Sequence, residues 1–187
     1  FAHGSRGRRL ADALGLDIDP ASRAPRRAIE VYPHPATVAL FHLGRTLKYK
    51  NKPGRPLADL QAALRELMRR LEGLESASPA LRLSGQDDWH ALVRQVETAA
   101  TKADLRRAED QVDAVVCAYV ALFAERRPED TTTYGDLATG YIVTPTAPAV
   151  ARLVDVGRQA ANPDPGPSVM VDLGPVPATF GATLTVL

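Results

Sequence analysis

Apolar positions recur along this chain with two periods, and the longer one is the clearer. Leu57, Leu60, Leu64, Leu67, Leu71 and Leu74 alternate steps of three and four, the stripe of a helix laid on a sheet or a neighbouring helix. Pro56 opens that helix. A second helix is expected over Trp89 to Ala99, capped by Asp87 or Asp88. Thr101 and Asp104 have the spacing of a capping box, opening a long helix to about Arg126, with Pro128 beyond its end. Its second half, VDAVVCAYVALFA, is apolar nearly all round and is expected to be buried. Shorter helices are expected from Arg9 to Leu14, stopped by Gly15, and from Pro35 to Leu43, stopped by Gly44.

The shorter period marks strands. Ala28, Ile29, Val31 and Tyr32 form an apolar run expected to be a buried strand, with Glu30 inside it. Pro33 cannot donate to a sheet ladder, so the strand should end there. His34 precedes Pro35 and is biased away from helix. Thr131 to Tyr134 and Tyr141 to Thr144 read as strands joined by GDLATG, and Leu81 to Leu83 as a brief strand.

Together these elements predict an α/β fold with helices packed on a mixed sheet, occupying residues 1–147. Seven of the 15 prolines fall between Pro145 and Pro177, so residues 148–187 are expected to be a Pro-rich linker and short extension. Within it, Ala149 to Ala160 could form a helix, and VMVDLG and ATLTVL could form strands. No internal repeat is found.

Composition narrows the class. The chain has 187 residues, 45% hydrophobic and 24% charged, with a formal net charge of +1. Any nucleic-acid role must therefore rest on a local basic patch. Cys117 is the single cysteine, which excludes an intramolecular disulfide and a multi-cysteine zinc site and fits a cytoplasmic protein. No apolar run reaches the roughly 18 residues of a membrane helix, so no membrane partner is expected.

The first candidate for chemistry is the acid pair Glu30 and Asp113. A carboxylate in a buried strand is costly unless paired, hydrogen-bonded or bound to a metal. Asp113 stands where the long helix turns from polar to apolar, with Glu109 and Asp110 four and three positions earlier on about the same face. Such acids can converge on Mg²⁺ or Mn²⁺, and ions so held can activate water for phosphodiester hydrolysis. The plainer alternative pairs Glu30 with an arginine and lets Asp113 cap a backbone group. The second candidate is the loop carrying Arg45, Lys48, Lys50, Lys52 and Arg55 around Tyr49. It suits the phosphates of DNA or RNA with stacking on the aromatic ring, or else is simply solvated. His34 could contact substrate or metal from its turn, or could pack against a backbone carbonyl. Cys117 lies among apolar residues with no activating base and reads as core. A P-loop and a dinucleotide fingerprint are both absent.

The blocks EVYPHPATVALFHLGRTLKYK, DAVVCAYVA and GYIVTP, in this order, resemble a bacterial and archaeal family of predicted nucleases of the RNase H fold. QVDAVVCAYVA also resembles the last acidic helix of Holliday-junction resolvases, which share that fold. The resemblance implies a partial RNase H-like domain and a metal-dependent nuclease. It makes Glu30 and Asp113 the second and a later acid of a metal-binding cluster, to which the sequence adds Glu109 and Asp110 as weaker helpers. That fold places its first aspartate on the first strand of a three-stranded meander, and no meander precedes Glu30 here. The chain, which opens at Phe1, is accordingly expected to continue upstream, to bind Mg²⁺ weakly and to be inactive at this length. Asp172 in VMVDLG imitates the absent aspartate from the wrong end of the chain. Two other functions stay open: a binding module without chemistry, and an ATP-handling enzyme of the related actin-like core, whose phosphate loop VDLG echoes.

Overall fold

The computed structural model describes residues 6–147. The expected helix at 149–160, the strands VMVDLG and ATLTVL, Asp172 and the Pro-rich segment 148–187 lie outside the described residues. Among these residues, five helices and a two-stranded antiparallel sheet give an α/β fold. The order is α1 (Arg6–Leu14), α2 (Pro33–Leu40), α3 (Leu57–Glu72), α4 (Asp87–Thr98), α5 (Lys102–Arg126), β1 (Thr131–Asp136) and β2 (Gly140–Pro145). None of the described helices is long and apolar enough to cross a membrane.

The leucine stripe does what its period predicts. Leu60, Leu64, Leu67 and Leu71 are buried on α3, and Leu74 continues the row in the short 3₁₀ turn Gly73–Ser76. They pack α3 against α4 and α5. Each fully buried leucine contributes about 1.5–3 kcal/mol. Gln61 ties the layer further by donating to the Val96 and Glu97 carbonyls at the end of α4, at 2.6 and 2.9 Å.

Helix α5 is the hub, packed against α2, α3, α4 and β2. Its start is the expected capping box: the Asp104 N–H donates to the Thr101 hydroxyl at 3.2 Å, and the Thr101 N–H donates to the Asp104 carboxylate at 3.1 Å. Val112, Val116, Tyr119 and Val120 are fully buried. The second half is not buried all round, however. Ala114 and Ala121 face solvent, as a single methyl group can at little cost.

Several element boundaries differ from expectation. Helix α2 starts at Pro33 rather than Pro35, and His34 is helical. Both prolines fall in the first turn, where an N–H would have no helical partner anyway, so that turn tolerates them and overrides the bias on His34. The helix ends before Gly44. The Leu43 N–H donates to the Val38 carbonyl at 2.9 Å and the His42 N–H to the Ala39 carbonyl at 3.4 Å, with His42 at φ +50°. This is a Schellman motif with histidine in the position that glycine usually takes. Gln86, not an aspartate, flanks α4; Asp87 and Asp88 occupy its first turn, where they oppose the positive end of the helix dipole. Leu81 and Leu83 are buried in a loop rather than a strand. That loop is held by the Tyr119 hydroxyl, which donates to the Pro79 carbonyl at 2.9 Å.

The hairpin forms as expected, pairing Thr131 with Pro145 and Asp136 with Gly140. Asp136 Oδ1 closes the turn by accepting from the N–H groups of Ala138 and Thr139 at 2.9 and 2.7 Å. Gly135 has φ +88°, and a Cβ there would lie 2.2 Å from the Gly140 carbonyl oxygen, so no other residue fits.

The segment Ala28 to Tyr32 corrects the sequence reading. It runs beside β2 but is not a strand, and the described sheet is antiparallel, not mixed. The Val143 N–H donates to the Glu30 carbonyl at 2.8 Å, and the Tyr141 hydroxyl donates to the Ile18 and Ala28 carbonyls at 2.7 and 3.3 Å. On its other side the Ala28 N–H donates to the Asp17 carbonyl at 2.8 Å. Isolated bonds replace a ladder. Val31 packs on the core, whereas Glu30 is exposed rather than buried.

Candidate functional site

Spacing on α5 and a turn of chain far from it in sequence build one polar cluster. Glu109 and Asp113 are four residues apart and so share a helix face. Against that face lies the stretch 47–50, where Leu47 and Tyr49 point inward and Lys48 is exposed. Tyr49 is fully buried, and its hydroxyl donates to Asp113 Oδ1 at 2.8 Å. The next residue, Lys50, places its ammonium between the two acids. Nζ lies 2.8 Å from Glu109 Oε1 and is hydrogen-bonded to Asp113 Oδ2. The same ammonium stands 5.5 Å from the centre of the Tyr49 ring, within cation–π range.

Below Tyr49 lies His34, from the first turn of α2, its ring edge-on to the tyrosine at 5.0 Å between centres. His34 Nδ1 is buried and has no hydrogen-bond partner among the described residues.

These contacts set the electrostatics. Burial, and then the Lys50 charge, hold His34 below the usual imidazole value. Burial and the Asp113 carboxylate push the Tyr49 phenol far above its ordinary value, so its proton stays on and donates. Burial alone would lower Lys50, but its bonds to Asp113 and Glu109 outweigh it and raise the ammonium above the ordinary value. Burial, followed by Asp113, raises the Cys117 thiol, in keeping with an inert core cysteine. Two carboxylates against one ammonium leave the cluster with one formal negative charge.

The residues singled out from the sequence separate into three groups. Asp113 is central to the cluster, and Lys50 and His34 are beside it. Glu30 and Asp110 are exposed. Among the described residues, no three or more His, Cys, Asp or Glu side chains are grouped to hold a metal ion, so Glu30, Asp110 and Asp113 do not form such a trio. The basic loop also divides. Lys48, Lys52 and Arg45 face solvent. Arg55 folds back, donating to the Lys50 carbonyl at 2.8 Å and the Lys48 carbonyl at 3.4 Å. Tyr49 is the clear correction: a fully buried ring engaged with Asp113 offers no platform for a base. The alternation of Leu47 and Tyr49 with Lys48 was the signal for this inward face. Glu109 as the partner of Lys50 had no such local signal.

The family model described as a protein of unknown function (DUF429) matches residues 4–138, most of the chain. The chain belongs to this family. The DUF429 match contains α1 to α5, the cluster around Asp113 and the Glu30 segment. No curated protein and no solved structure gives a significant match.

Proposed function

We propose that this DUF429 chain is a metal-dependent nuclease of RNase H-like type, hydrolysing phosphodiester bonds of DNA or RNA with Asp113 at its centre. The observation that carries this reading is the convergence of Glu109 and Asp113 on one cation, the Lys50 ammonium, with negative charge left over. Hard carboxylate oxygens of that kind suit Mg²⁺ or Mn²⁺. Mg²⁺ in particular is usually bound by one or two carboxylates, with water and substrate phosphate completing its shell. The donor set present therefore fits such an ion. Asp113 and Glu109 would hold it; Glu30 is exposed and stands outside that pair.

A bound divalent ion supplies Lewis acidity and an activated water. The chain's own residues do the rest. Tyr49 fixes the orientation of Asp113 through Oδ1 and excludes water from behind it. Lys48 and Lys52 are exposed on the adjoining loop and would neutralise substrate phosphates. Arg55 holds the backbone of that loop by its bonds to the Lys48 and Lys50 carbonyls. The proposed setting is cytoplasmic, where the Cys117 thiol stays reduced.

The test is incubation of single- and double-stranded DNA and RNA with the protein at its natural length. Cleavage is expected with Mg²⁺ or Mn²⁺ and none with a chelator present. Binding of nucleic acid without cleavage under any metal would replace the proposal with a binding module.

A further inference from the structure

We infer that Lys50 is a built-in counter-ion that competes with a divalent cation for Glu109 and Asp113, so that metal loading requires the ammonium to leave. This rests on the nuclease reading above. A single atom, Nζ, bonds both carboxylates, so the ammonium occupies the point where an ion bound by both would sit. Both acids are largely buried, with side chains 9% and 16% exposed, whereas the Lys50 side chain is 27% exposed and keeps a route to solvent.

The backbone at Lys50 is held on both sides. The preceding Tyr49 is anchored in the core, and Arg55 donates to the Lys50 carbonyl at 2.8 Å. A tethered cation on a flexible four-carbon stem competes as though present at high local concentration. Once displaced, the same ammonium remains beside the exposed Lys48 and is free to meet the phosphate that accompanies the metal. The buried Nδ1 of His34, whose ring stands edge-on to Tyr49 at 5.0 Å between centres, has no hydrogen-bond partner among the described residues.

The experiment titrates Mn²⁺ into the full chain and into Lys50→Met, Lys50→Gln and Lys50→Arg, following free Mn²⁺ by electron paramagnetic resonance. Tightening of at least about tenfold is expected for Met and Gln, and none for Arg, which keeps the charge. Adding Glu109→Gln to Lys50→Met should remove the gain. Thermal melts give an independent readout if removal of the ammonium loosens the fold. The melting temperature of Lys50→Met should then rise more with Mn²⁺ than that of the unmodified chain. Measurable binding by the unmodified chain with no change in Lys50→Met or Lys50→Gln would overturn the role of Lys50 and leave the nuclease reading standing. No binding by any of the four proteins would overturn both.

Discussion

Around Asp113 each neighbour has a definable physical task. Tyr49 donates one hydrogen bond from a fully buried ring, Lys50 neutralises, and His34 packs edge-on as a base kept neutral. Asp113 was legible in the sequence because it stands where a polar helix turns apolar. Lys50 was legible only as one more cation in a basic loop, since its partner Asp113 is 63 residues away and no local pattern encodes that pairing. His34 gives a prediction with a definite sign. Its value in the folded chain lies below 6.5, lowered by burial first and Lys50 second, with Lys52 adding to the effect and Asp113 and Glu109 opposing it. The unfolded chain therefore binds the extra proton more readily. The stability contributed by neutral His34 is complete above about pH 6.5 and is lost as the pH falls below it. Denaturant melts between pH 7.5 and 5 should show this loss in the unmodified chain and a shallower one in His34→Gln. Identical profiles would remove His34 from the account.

At the scale of elements, helices with a sustained period and a local start signal were readable, and those depending on a distant partner were not. The α3 stripe and the α5 capping box are written in residues three and four apart. The end of α2 is not, because a histidine takes up positive φ where the sequence offers a glycine two residues later. The run Ala28 to Tyr32 looks like a strand by composition, yet a five-residue pattern does not say how many neighbours it will bond. The α3 stripe allows a direct check of packing. Leu64 is fully buried between α3 and its neighbours, so Leu64→Ala should cost roughly 2–5 kcal/mol through lost burial and a cavity. The loss should be independent of protein concentration, because the stripe faces the domain's own core. A loss below about 0.5 kcal/mol, or one that grows on dilution, would contradict this packing.

For the molecule as a whole, α5 connects fold and site. One face carries the valines and Tyr119 that the other helices pack on, and its polar half presents Glu109 and Asp113 to the loop of Lys48, Lys50 and Lys52. Net charge is only +1, so attraction for nucleic acid has to come from that loop rather than from the global field. The central claim is that phosphodiester hydrolysis runs through Asp113, and one measurement tests it most directly. Metal-dependent cleavage is compared between the protein at its natural length and the same protein carrying Asp113→Asn, with circular dichroism confirming that both are folded. The account predicts that Asp113→Asn stays folded, with Lys50 still paired to Glu109, and loses cleavage. A folded Asp113→Asn that cleaves at the unmodified rate would contradict it.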